Sequence, residues 1–328
     1  MDVSLSELIE AADLNALLRA VDGLCSLRSW DELLELADRC EEAIERGKQL
    51  WPIAAHIDYR IALEAPGPIA AEVLHPEVGR FAHGPLTEVA ASSHTWGEMA
   101  PHLKTPQVAA YVAQERVLRG EILEGDHRAH DEVMEMPLRL AHWEPTYALA
   151  TFHRDHVEIS EPWMPTEPMT RVDADPGPEI EDAELTGALL DLVAPWTAES
   201  NGAARAVVVE GDATEAASAI APGSVMIGPL SPEEAIQRMA WAAASGGAHG
   251  RRRGAALGRL MAWYVAVLAS DLRWPPAPDH LGRAIKRLRW WRWDEDVAES
   301  GWVLRLAISD PSGGWAAAIG ATDVLDEP

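Results

Sequence analysis

A chain of 328 residues with 53 acidic and 27 basic side chains, net charge −26, is too long for one small domain. It is also too acidic to be drawn to nucleic acid or to an anionic bilayer. Its 48% apolar and 24% charged content is that of a folded chain. No run approaches the ~18 uninterrupted apolar residues of a membrane-crossing helix.

The start, Met1–Ser6, lacks a basic segment followed by an apolar one, so no signal peptide is predicted and the expected location is cytoplasmic. Residues 4–22 predict one helix, opened by Ser4 and Glu7 as a capping box. Ser29 with Glu32 opens the next, which sets Trp30, Leu33, Ala37 and Cys40 on one face and Glu32, Glu35, Asp38, Glu42 and Glu45 on the other, with Gly47 as its stop. Cys25 and Cys40 fall on neighbouring helices and read as buried thiols of a reducing compartment. Further helices follow from Pro52, around Ala70–Leu74 and Leu86–Ser92, and from Thr105 to Leu123. No fixed period relates these segments. An irregular helical-repeat-like array and an ordinary helical bundle both fit.

Residues 125–178 are rich in Pro, His and acids, with two β-like runs, Leu138–Trp143 and Tyr147–Ser160, that predict a hairpin around Glu144-Pro145-Thr146. His153 and His156 have metal-ligand chemistry, but on a strand positions three apart face opposite sides, so no metal site is expected.

From Glu179 helices and strands alternate: strands 204–210 and 224–228, helices 232–244, 251–272 and 279–288, then strands Arg289–Asp294, Trp302–Ser309 and Trp315–Thr322. The last two read as a hairpin turned by Asp310–Gly314. The fold class is therefore α+β. An all-helical domain (1–124) is followed by an acidic His/Pro-rich linker (125–178) and an α/β sandwich-type domain (179–328) with an antiparallel C-terminal hairpin.

One stretch inverts the charge. Gly250–Arg292 holds ten Lys/Arg and two acids. Glycines followed by a helix and three arginines can bind an anion through backbone amides and guanidinium forks, which makes Gly247, His249, Gly250, Arg251, Arg252 and Arg253 the candidate ligand residues. Pairing of these arginines with the chain's own acids is the competing reading. Arg251–Ala256 is also similar to the turn with which GNAT-type acetyltransferases hold the pyrophosphate of acetyl-CoA, although there the turn follows a strand and here a helix precedes it. In Arg289-Trp290-Trp291-Arg292-Trp293, strand alternation places Trp291 and Trp293 on one face and Trp290 and Arg292 on the other. That pattern favours a core face backed by Arg–Trp stacking over base stacking.

Gly246–Gly254, Leu288–Asp294, Gly301–Ala307 and Ala321-Thr322-Asp323 together resemble an uncharacterised actinobacterial family, a domain of unknown function, over roughly residues 235–325. The resemblance implies a bacterial cytosolic origin and brings no activity. There is no P-loop, Gly-x-Ser-x-Gly elbow, His-Glu-x-x-His or Rossmann fingerprint. The expectation is a non-enzymatic interaction or adaptor protein that uses no cofactor and whose acidic surface engages a basic protein partner. The alternative is a protein that binds a small phosphorylated ligand, a nucleotide or CoA, or an acyltransferase-like enzyme, using loop 246–254.

Overall fold

A computed structural model describes residues 4–75, 83–162, 165, 167–295 and 301–324. The chain forms two compact units, Met1–Met134 with Ala150–Glu158, and Glu135–Leu149 with Ile159–Pro328. The stretch read as a linker is thus divided between them: Ala150–Glu158 packs with the first unit, and the segments on either side of it pack with the second.

The first unit is helical. α1 (Leu5–Ala11) carries the expected Ser4–Glu7 capping box. The single helix expected over 4–22 is broken, because Ala12 turns into the left-handed region (φ 50°) and Asp13 caps a new helix, α2 (Leu14–Leu27), by accepting from the Ala16 amide. α3 (Trp30–Glu45) follows Ser29, whose side chain makes no capping bond, contrary to the expected box. Its buried stripe is Trp30, Leu33, Leu36, Ala37, Cys40 and Ala43. α4 (Trp51–Glu64) has Pro52 in its first turn. α5 (Gly67–Ala70), α6 (Leu86–Ser93), α7 (Trp96–Met99), α8 (Pro106–Leu118) and α9 (Asp131–Met134) complete it, with a two-stranded sheet of β1 (Ala150–Phe152) and β2 (Val157–Ile159). The Arg60 guanidinium is buried and held by Asp22 (2.6 Å) and Glu64 (2.5 Å). Cys25 and Cys40 are buried free thiols, and burial pushes Cys40 up to about 11.

In the second unit, a six-stranded sheet runs β3 (Thr170–Ala174), β5 (Gly223–Leu230), β6 (Arg289–Asp294), β7 (Trp302–Asp310), β8 (Trp315–Asp323) and β4 (Ala203–Glu210) in spatial order, among the described residues. Every neighbouring pair is antiparallel. The β7–β8 hairpin closes as expected: the Asp310 side chain and carbonyl accept from the Ser312 and Gly314 amides, and Gly314 takes φ 68°. The helices are α10 (Ala183–Asp191), α11 (Ala194–Ala198), α12 (Ala213–Ile220), α13 (Pro232–Ala244), α14 (Ala255–Ala269) and α15 (Pro278–Ile285). α12 lies on a sheet face built from Val207, Val209, Val225, Trp293 and Ala307, with Trp291 half-buried against it, as alternation requires. α13 packs against β5, β6 and β7, and α14 packs on α13. Gly258 is where those helices meet: a Cβ there would stand 2.3 Å from the Ala240 carbonyl oxygen.

The β-like run Leu138–Trp143 is not a strand. A buried ion pair holds this segment instead. Arg259 of α14 grips Glu144 through two 2.7 Å hydrogen bonds, and neither side chain reaches solvent. The Tyr147 hydroxyl (2.5 Å), the Trp263 indole (3.0 Å) and the Ala141 amide (2.8 Å) also donate to Glu144, while Arg259 donates to the carbonyls of Pro137 and Arg139. Burial pushes Glu144 up, but the Arg259 charge and the hydrogen bonds outweigh it and hold the carboxyl below its ordinary value.

Candidate functional site

The glycine loop was the sequence's first candidate, and most of its amide hydrogens point at the chain's own oxygens. Asp323 at the end of β8, 1% exposed, accepts from the Ala248 amide (2.6 Å) and from the Ser200 hydroxyl (3.0 Å). Ser200 in turn accepts from the His249 amide, Glu199 from the Arg251 amide (3.0 Å), and the Ala244 carbonyl from the amides of Arg253 and Gly254. The glycines serve this self-packing. A Cβ on Gly247 (φ 72°) would stand 2.1 Å from the Asp323 carboxylate, and one on Gly250 2.3 Å from the Gly246 carbonyl oxygen. α14 begins only at Ala255, four residues beyond Arg251, so the arginines precede the helix rather than head it. Arg251 is exposed, while Arg252 and Arg253 are half-buried. Arg253 donates to the Asp191 carbonyl and the Met261 sulfur. The turn compared with acetyltransferases thus connects two helices, α13 and α14.

A different set of cations surrounds open space. A cavity of about 260 Å³ in the second unit is lined by Glu161, Arg238, Trp241, Arg292, Asp294 and Arg305, among others. α13 supplies Arg238 and Trp241 one helical turn apart. β6 supplies Arg292 and Asp294, and β7 supplies Arg305. Among these six, three guanidiniums face two carboxylates, the reverse of the balance of the whole chain. Arg305 is already committed: it pairs with Asp294 and with Glu295 (3.1 Å) and lies 5.5 Å over the Trp293 ring. The Arg–Trp stacking expected of this region is therefore made by β7, not by Arg292.

Arg238 and Arg292 line the same cavity. Arg238 is 8% exposed, and burial, followed by the neighbouring Arg292 charge, lowers its guanidinium pKa, against the pull of Glu234 and Glu161. Arg292 donates to the Glu167 carbonyl, while its Nε is buried with no hydrogen-bond partner. The Trp241 indole N–H is likewise buried without a partner. That ring is fixed by stacking on Trp302 (5.2 Å between centroids), with Trp196 edge-on to both. A buried donor without a partner is costly, and a guanidinium pair whose charges repel one another is relieved by an acceptor-rich anion, so the residues lining this cavity have the chemistry to receive one. Sequence inspection singled out Arg292 only as part of a strand. Arg238 and Trp241 gave no signal, because pairing of distant strands brings them to Arg292.

In the first unit the two histidines expected on opposite faces of one strand are placed differently. His153 and His156 lie in the turn between β1 and β2, where the His153 amide donates to the His156 carbonyl, and not along a strand. Their rings are stacked 4.3 Å apart, and with Glu158 they place ligand atoms within 4.8 Å of one another.

The sequence profile of DUF6183, a family of unknown function, matches residues 15–324, so the likeness takes in the helical unit as well as the C-terminal stretches that first suggested it. No curated protein and no solved structure matches the chain. Among the described residues, no helix is long and apolar enough to cross a membrane.

Proposed function

The chain belongs to the DUF6183 family, whose membership carries no activity, and we propose that its second unit is a binding module for a small organic anion, a carboxylate or phosphate, seated between Arg238, Arg292 and Trp241. The observation that carries this reading is one cavity lined by Arg238, Arg292 and Trp241, in which two guanidiniums repel one another and two of the lining residues, Arg292 and Trp241, each keep a buried donor without a partner. Small-molecule pockets ordinarily span roughly 300–1,000 Å³. A volume of about 260 Å³ therefore suits a compact anion better than a whole nucleotide or CoA. The function is binding rather than catalysis, since the lining residues named here offer donors and counter-charges but no nucleophile beside a base. Isothermal titration with inorganic phosphate, succinate and citrate tests it. At least one should bind, and Arg292→Met should abolish that binding while Arg251→Ala leaves it intact.

A second reading, an interaction protein with a basic partner, is favoured by the outer face of α3. Asp31, Glu32, Glu35, Asp38, Glu41, Glu42 and Glu45 are all exposed there, opposite the buried stripe. Such a surface steers association with a basic protein and loses its effect as salt rises. Native mass measurements of the complex at low salt, repeated with Glu35, Asp38 and Glu42 changed to Gln, test it. A partner retained by that variant would contradict the reading.

A further inference from the structure

The β1–β2 turn carries a second, independent site. We propose that His153, His156 and Glu158 bind one divalent transition-metal ion of the zinc type. His153 Nε2 and His156 Nε2 stand 3.6 and 3.7 Å from the same Glu158 oxygen, Oε1. Those separations are too long for hydrogen bonds. Donors bound to a tetrahedral zinc at ~2.0–2.1 Å lie ~3.3–3.4 Å from one another, so each histidine nitrogen needs to close on the Glu158 oxygen by only a few tenths of an ångström.

Three further features fit a ligand set better than a chance cluster. The His153 Nε2 is buried and has no hydrogen-bond partner. A ring nitrogen kept from water and left unsatisfied is costly, and a metal ion bound through its lone pair would satisfy it. His156 Nδ1 is held by the Asp155 carboxylate at 2.9 Å, which fixes the proton on Nδ1 and leaves Nε2 as the donor atom, the carboxylate–histidine arrangement that commonly supports a metal. The backbone of the turn is anchored from below, because the buried Tyr59 of α4 donates its hydroxyl to the His153 carbonyl and lies edge-on to Phe152. The ligands thus sit on a braced hairpin.

Two imidazoles and a carboxylate select zinc, nickel or copper over magnesium or calcium, which prefer all-oxygen shells. The imidazole rings lie nearly parallel, so binding would splay them about their own side-chain torsions until both lone pairs converge. A depression of about 440 Å³, lined by Leu63, Glu64, Phe152 and the turn, adjoins the site. The fourth position is therefore open to water or to an exchangeable ligand.

The test uses the untagged full-length protein, freed of metal with a chelator, and zinc chloride as the probe in isothermal titration and in metal analysis after desalting. The expected result is one zinc per chain. Affinity should fall at least about tenfold in each of His153→Asn, His156→Asn and Glu158→Gln. Asp155→Asn should weaken binding by a smaller factor, and magnesium should not compete. Glu158 is exposed, so its variant separates loss of a ligand from loss of fold. Histidine ring resonances of residues 153 and 156 should shift on zinc addition. Failure of zinc to bind, or zinc bound equally by the His153→Asn/His156→Asn double variant, overturns the proposal. Neither outcome bears on the anion cavity of the second unit.

Discussion

Replacing Glu144 with Gln tests the reasoning about burial most severely. The side chain keeps its shape, but Arg259, with none of its surface in solvent, loses its counter-charge. The carboxylate accepts two bonds from Arg259 and one each from Tyr147, Trp263 and the Ala141 amide, and an amide cannot accept them all on its nitrogen. Breaking a buried pair by removing one partner costs roughly 3–5 kcal/mol, because the remaining charge stays desolvated. At roughly 2–4 °C per kcal/mol for a unit of this size, its melting point should drop by roughly 6–20 °C. The assay is urea denaturation followed by tryptophan fluorescence, since Trp143 and Trp263 pack together beside the pair. Comparing Glu144→Leu, Arg259→Met and the double variant should give a loss in the double smaller than the sum of the singles by at least about 2 kcal/mol. A loss under about 1 kcal/mol in Glu144→Gln, or strict additivity in the cycle, would refute this account of the segment.

Three other outcomes are expected. Burial, followed by the charges of Glu41 and Asp38, pushes Asp58 from 3.8 to about 7 in the folded chain. Folding therefore favours the protonated form, and its stabilising contribution is complete below about pH 4 and lost as pH rises to about 7. Asp58→Asn should remove that slope in denaturation midpoints and be more stable at pH 8 by at most about 4 kcal/mol. Gly258→Ala should destabilise by about 1–3 kcal/mol in the same assay, although alanine is the better helix former, because its Cβ meets the α13 backbone. Cys25 and Cys40 should resist a thiol reagent in the native protein and react fully in denaturant, since both are buried and burial raises both thiols.

Local rules made much of the fold legible. The Ser4–Glu7 box, Pro52 at a first turn and the Asp310–Gly314 turn each act through neighbours in sequence, and each is found where the residues place it. The α+β class followed from the change in periodicity near residue 179. What stayed hidden depends on distant partners. Ala12 breaks a helix that its composition would continue, and only the capping carboxylate of Asp13 explains the restart. Leu138–Trp143 is apolar enough to read as strand, yet the conformation of the segment is set by Arg259, more than a hundred residues away. The cavity combines residues 161, 238, 292 and 305, whose meeting depends on strand register and helix packing. The three-residue spacing of His153 and His156 opposes their side chains only on a continuous strand, whereas in the structure they lie in a turn that folds the rings onto each other.

The central claim is that the second unit receives a small anion among Arg238, Arg292 and Trp241. Its most direct measurement is the titration of full-length protein and three variants with phosphate, succinate and citrate at low ionic strength. The account predicts binding of at least one probe at roughly millimolar affinity or tighter, lost in Arg292→Met, weakened in Trp241→Phe and unchanged in Arg251→Ala. No heat from any of the three, or binding that Arg251→Ala removes and Arg292→Met does not, would contradict it.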